Sequence, residues 1–220
     1  LSAFADEISK DLTEQLDVLE SESIRFMELR GVWGKNVADF SEEEVTTVRD
    51  ALKKRSVGVS CIGSPIGKIG IKDDFEPHFA RFQRIMEIAK ALDTRYVRIF
   101  SFYIPKGDDP VQHRDEVLRR MQAMVDAAKK EGLVLLHENE RGIYGDTGER
   151  CVDLLAAIDS PALRAIFDPA NFVGVGQKPY EECWEGLKPY LEYLHIKDGL
   201  LADGKVVPAG EGDGGLRELV

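Results

Sequence analysis

A (β/α) barrel of the eight-stranded type, lacking its eighth strand and helix, is the fold this sequence predicts. Three observations lead there. Short apolar runs alternate with amphipathic stretches of helical period, and successive runs end about 20 to 40 residues apart, the length of a βα unit. The ends of the runs are charged or polar, where a barrel places its chemistry. No glycine-rich phosphate turn follows the first run, which continues as "ADEISKD", so an open doubly wound sheet is disfavoured. The 220 residues suffice for one core, and no linker or low-complexity segment divides them.

In chain order, strands are expected at Ser2–Ile8, Ile24–Leu29, Val57–Ile62, Tyr96–Phe102, Val134–Glu138, Leu163–Asp168 and Leu191–Lys197. The helices between them carry their own signals. "SEEEVTTVRDALKKR" opens with Ser41 and Glu44 in capping-box spacing. "HFARFQRIMEIAKALD" places Phe82, Ile85, Met86, Ala89 and Leu92 on one face. "RDEVLRRMQAMVDAAKKEG" does the same with Val117, Leu118, Met121, Met124, Val125 and Ala128, and Gly132 marks its stop. The glycine-rich "VVPAGEGDGG" at 206–215 reads as a loop. An eight-unit barrel typically takes about 250 residues, so the eighth unit is expected to be missing from this chain.

Composition narrows the functional classes. With 29 Lys and Arg against 40 Asp and Glu, the net charge of −11 repels nucleic-acid backbones and anionic membrane surfaces. No apolar run approaches the roughly 20 residues of a membrane span, and the N-terminus lacks a signal-peptide pattern. Cys61, Cys151 and Cys183 have no metal-site spacing and read as reduced thiols of a cytoplasmic protein.

The strand ends read together form a constellation. They offer Asp6–Glu7, Glu28–Leu29–Arg30, His137–Glu138–Asn139–Glu140, Asp168–Pro169–Ala170–Asn171 and His195–Ile196–Lys197–Asp198. With neighbouring strands about 4.8 Å apart, Glu138, Asp168 and His195 can converge above the barrel axis. Two carboxylates and an imidazole form an O,O,N set suited to Mn²⁺, Mg²⁺, Co²⁺ or Zn²⁺. A structural ion-pair network at the barrel mouth is the alternative for the same residues.

"HENE", "FDPANF" and "HIKD", in that order on strands 5, 6 and 7 and followed by "PAGEGDG", resemble the sugar isomerase/epimerase superfamily with its xylose-isomerase-like barrel. The similarity extends to "ADEI" and "ELRGVWGKNV". It implies one divalent metal ion, Mn²⁺ first among the candidates, held by Glu138, Asp168 and His195. A fourth ligand, a glutamate on strand 8, belongs to a strand this chain does not show. The epimerases usually carry histidine three residues after the strand-6 aspartate, where this chain has Asn171. The implied chemistry is abstraction of an α-proton from a ketose, aldose or related keto-sugar through a metal-stabilised enediolate, with Glu138 as base. Glu7, Arg30, Asn171 and Lys197 are the expected partners of sugar hydroxyls, and the resemblance implies a homo-oligomer.

Three rival readings follow. A metal-dependent dehydratase or lyase begins with the same proton abstraction. The related apurinic endonucleases build a three-zinc cluster from many histidines, and four histidines with a net charge of −11 argue against one. A non-catalytic barrel binding a sugar or a partner is the third. Among single residues, His137 should face the helix layer, since it precedes Glu138 on its strand. His78 reads as a packing residue and His113 as a loop or N-cap residue. Glu140 and Arg141 read as a surface pair, Glu211 as part of the glycine loop, and Lys197 as a substrate contact or a partner of Asp198. Trp33 and Phe40 read as an exposed contact or lid.

Overall fold

The computed structural model describes residues 1–220. Seven parallel strands form one curled sheet in sequence order: β1 Ser2–Ala3, β2 Phe26–Leu29, β3 Gly58–Ile62, β4 Tyr96–Ile99, β5 Val134–Glu138, β6 Leu163–Phe167 and β7 Leu191–Leu194. Between them run the long helices α1 Leu12–Ser21, α2 Glu42–Lys54, α3 Phe75–Ala91, α4 Arg114–Lys130 and α5 Gly148–Ile158. The architecture is a TIM barrel left open between β1 and β7, which share no ladder. Across that seam the Tyr193 hydroxyl joins the two edges, 2.6 Å from Ser2 Oγ and 2.9 Å from Ser60 Oγ.

Strand pleating sorts the side chains. Residues two apart share a face, so Tyr96 and Arg98, Val134, Leu136 and Glu138, Ile166 and Asp168, and Tyr193 and His195 all turn to the barrel axis. Cys61, Leu136 and Ile166 pack together on that axis beneath the polar layer. The opposite parity meets the helices, where the expected apolar faces are buried: Phe82, Ile85 and Ala89 on α3, and Val117, Met121, Met124 and Val125 on α4. The capping box that the sequence implies for α2 is formed. On α2 the Ser41 amide donates to Glu44 Oε2 at 2.6 Å and the Glu44 amide to Ser41 Oγ at 3.2 Å. Gly132 lies past the end of α4 at φ +70°, a left-handed turn that glycine adopts without strain.

Several strands are shorter than the apolar runs. The first keeps only Ser2 and Ala3, because Ala5–Glu7 turn into a 3₁₀ helix. The fourth stops at Ile99: Phe102 adopts φ +65°, and the Phe100 and Phe102 amides donate to Ile66 and Gly67 carbonyls in the loop after β3. Asp168 caps the short helix α6, Pro169–Val173, rather than closing β6. Beyond β7, Asp198–Gly199 pairs antiparallel with Val206–Val207, so the glycine-rich loop begins as a small hairpin. The segment with Trp33 and Phe40 is also a hairpin, Gly31–Val32 against Lys35–Asn36. There Trp33 is exposed but Phe40 belongs to the core, so Phe40 does not join a lid. All three cysteines are free and buried. No helix is long and apolar enough to cross a membrane.

Candidate metal centre

At the carboxyl ends of β5, β6 and β7, Glu138, Asp168 and His195 come together with one donor atom from each within 4.8 Å of the others. All three are buried. His195 Nδ1 lies 3.2 Å from Glu138 Oε1 and 3.6 Å from Asp168 Oδ2, while its Nε2 faces away, 3.2 Å from Glu28 Oε2. Of the remaining oxygens, one accepts a hydrogen bond and the other stands only at ion-pair distance from a cation. Asp168 Oδ1 accepts the Asn171 amide at 2.9 Å, and Glu138 Oε2 lies 3.1 Å from Arg98 Nη1.

Cross-strand bonds set this geometry. Asn139 donates from Nδ2 to the Asp168 carbonyl at 3.0 Å and accepts the Asp168 amide at 2.9 Å, locking the ends of β5 and β6 together. Asn171 donates to the Asn139 carbonyl at 2.9 Å and lies 3.4 Å from Glu138 Oε1. Lys197 Nζ donates to Asn171 Oδ1 at 3.1 Å and lies 3.7 Å from Asp168 Oδ2. Asp198 does not pair with Lys197. Its carboxylate is filled by the amides of Gly199, Gly210, Gly212 and Gly214 at 2.8–3.0 Å, which pins the glycine-rich loop against the barrel.

Electrostatics follow from these contacts. Burial opposes charge on Glu138, but the Arg98 guanidinium and His195 outweigh it and hold the carboxyl at about 2. Burial likewise opposes a charged His195, yet hydrogen bonds to Asp168, Glu138 and Glu28 raise it well above the ordinary histidine value. A proton on Nδ1 thus supplies, between two carboxylates, the positive charge that a cation would supply. Two hard carboxylate donors with an imidazole and no thiolate fit Mn²⁺, Mg²⁺, Co²⁺ or Zn²⁺, and a set of three donors would leave coordination positions open for substrate.

The cleft above the centre has a volume of about 1200 Å³. It exceeds the roughly 300–1,000 Å³ of small-molecule sites because the mouth merges with the open seam. Glu7, Arg30, Asn171 and Lys197 all line it. Arg30 is engaged by Asp6 at 2.7 Å and Glu7 at 3.0 Å, so the two predicted contacts form one rim pair. Lys68, on the loop after β3, reaches Glu140 at 2.9 Å and stands 4.2 Å from the Phe100 ring centroid. Glu140 therefore pairs with Lys68 instead of Arg141, which gives it only a backbone amide.

The other histidines stay out. His137 turns from the axis and bonds Ser101 Oγ at 2.9 Å. His78 on α3 accepts the Gly67 amide at 2.7 Å, and His113 precedes α4 and contacts Asp108 at 2.8 Å. Two residues of the site carried no expected role. Glu28 was visible as a polar strand end, and Arg98 as a lone charge between Val97 and Ile99 in an apolar run.

An open-seamed TIM barrel with a carboxylate–carboxylate–histidine cluster at its strand ends defines the class. A family model described as xylose isomerase-like TIM barrel matches residues 16–220, and the chain belongs to that family. A comparison with curated proteins finds no match. Among solved structures, the chain resembles the probable 3-DHS dehydratase AsbF of Bacillus anthracis, involved in petrobactin synthesis. That likeness has a TM-score of 0.81 at 19% identity, over 100% of this chain and 86% of that one. A D-tagatose 3-epimerase-like protein aligns at TM-score 0.77 and 19% identity, covering 97% of this chain and 80% of that one. A xylose isomerase-like TIM barrel protein of Mycobacterium smegmatis, in complex with magnesium, aligns at 0.72 and 20%, over 93% and 74%. At these identities the likeness shows the fold.

Proposed function

We propose that the protein is a divalent-metal-dependent sugar isomerase or epimerase, acting on a ketose, aldose or related keto-sugar by α-proton abstraction. The observation that carries this reading is the convergence of Glu138, Asp168 and His195 at one point of the cleft. Glu138 Oε1, Asp168 Oδ2 and His195 Nδ1 would hold the ion, with Mn²⁺ the first candidate. When bound, a divalent ion supplies Lewis-acid polarisation of the substrate carbonyl and offsets the charge of the enediolate.

The chain's own residues supply the rest. Glu138 is ionised at neutral pH and positioned to accept the α-proton. Because Arg98 depresses its basicity, most of the help must come from acidification of the substrate. Lys197 and Asn171 stand beside the ligands as donors to substrate oxygens, and the Arg30–Glu7 pair offers hydroxyl partners at the rim. Self-association, which the family resemblance implies, is part of the proposal.

A dehydratase or lyase is the second reading, favoured by one observation. Lys197, partly exposed in the cleft and 3.7 Å from Asp168 Oδ2, is an N–H donor placed beside the cluster, where a departing hydroxyl would need one. Incubating the Mn²⁺-loaded protein with a panel of ketoses and keto-sugars in deuterated water separates the readings. Deuterium entering recovered sugar, and absent with Glu138→Gln, supports isomerase or epimerase chemistry. Loss of water from the substrate supports the dehydratase, and neither change in any substrate overturns both.

A further inference from the structure

Glu28 has no part in the reaction just described, and its surroundings ask for one. It lies on β2 facing the axis and is 2% exposed. Its only hydrogen-bonding partner is Nε2 of His195 at 3.2 Å, and its Oε1 has none. Its register neighbour on β3 is Cys61, a buried thiol that burial holds in the protonated form. A carboxylate taken out of water is costly unless a donor or an opposite charge offsets it. Here the one group that does so is the imidazole.

The two nitrogens of His195 face different work. Nδ1 looks into the cluster with Glu138 and Asp168; Nε2 looks away from it to Glu28. Phe4 and Tyr193 flank the ring edge-on, with centroids 5.3 and 5.8 Å away, and so set its plane. They do not choose between the two flips of that ring. The Tyr193 hydroxyl is spent on Ser2 and Ser60, and Phe4 has no acceptor. An imidazole offered to a cation must be bare on one nitrogen and protonated on the other, and the acceptor at the second nitrogen selects the tautomer.

We propose, building on the metal-centre reading above, that Glu28 is a positioning residue. It accepts Nε2–H of His195 and thereby presents a bare Nδ1 to the ion alongside Glu138 and Asp168. Any proton on Nδ1 must leave to solvent for the ion to bind there. The carboxylate also strengthens the imidazole as a donor, as outer carboxylates do at histidine metal sites.

The test measures Mn²⁺ affinity by chelator competition in wild type, Glu28→Gln and Glu28→Leu, together with the ¹⁵N spectrum of His195 in Zn²⁺-loaded wild type. The expected spectrum has Nε2 protonated and Nδ1 on the metal. Glu28→Leu should lose about 10–100-fold in affinity, and Glu28→Gln, whose side-chain oxygen accepts the same bond, should recover most of it. Unchanged affinity in Glu28→Leu, or a spectrum with Nδ1 protonated, overturns the proposal while the metal centre stands. If Glu28→Leu does not fold, the wild-type spectrum decides. Failure of wild type to bind any metal removes the metal centre and this proposal with it.

Discussion

His137 and His195 are both buried and both next to Glu138, one in sequence and one in space, yet they carry opposite charge states. His137, on the helix-facing side of β5, is 1% exposed, and burial pushes it down to about 4 despite the nearby Glu138. His195, at the axis, is 8% exposed and is pushed well up by Asp168, Glu138 and Glu28. Depth is nearly the same; the company differs. One side of the strand end is a core that excludes charge, and the other is a cluster of anions that requires a cation, either a proton or a metal.

That contrast breaks most visibly if the cation is deleted. His195→Leu in the metal-free protein leaves Glu28, Glu138 and Asp168 buried with one positive partner fewer. It should cost about 3–5 kcal/mol in urea denaturation, the toll of breaking a buried pair from one side. A loss below about 1 kcal/mol would mean that the anions do not depend on the imidazole. Asn139→Ala removes two bonds between the ends of β5 and β6 and leaves the buried Asp168 amide without its acceptor. A loss of about 2–3 kcal/mol is expected, with weaker metal binding because Asp168 is no longer fixed.

Acid sharpens the comparison from the other side. His78, like His137, is held down to about 4 by burial. Above the ordinary value of about 6.5, folded and unfolded chains are both neutral there, and stability is intact. Between about 6.5 and 4 the unfolded chain takes a proton that the folded chain refuses, so stability falls as pH falls. His78→Gln keeps an acceptor for the Gly67 amide without titrating, and the unfolding free energies from urea denaturation at pH 7 and 4.5 should lie closer together in that variant than in wild type, by up to about 2 kcal/mol. His137→Gln should have the smallest effect on the site: metal affinity unchanged within about twofold, since the side chain faces away from the ligands. An effect as large as that of His195→Leu would erase the distinction between the two faces.

Much of this arrangement is legible in the sequence. β5 runs from Val134 to Glu138 as the apolar run implied, and Glu138, Asp168 and His195 stand in order at the ends of β5, β6 and β7. Local pattern suffices there because an apolar strand ending in a carboxylate is uncommon unless the charge is used. Other features depend on distant partners. Phe100 and Phe102 look like strand, but their amides pair with the loop after β3. Glu28 and Arg98 acquire meaning only because strand curvature brings residues of β2, β4, β5 and β7 to one axis. Asp198 reads as a companion of Lys197 until the four glycine amides fill its carboxylate.

Metal content decides whether Glu138, Asp168 and His195 bind an ion. Wild type, Glu138→Gln and Asp168→Asn would each be loaded with Mn²⁺, passed through a desalting column and assayed by elemental analysis. Close to one equivalent is expected in wild type and almost none in either variant. Equal metal in all three, or none in wild type, would contradict binding by these residues and leave the cluster as an ion-pair network that holds the ends of β5, β6 and β7 together.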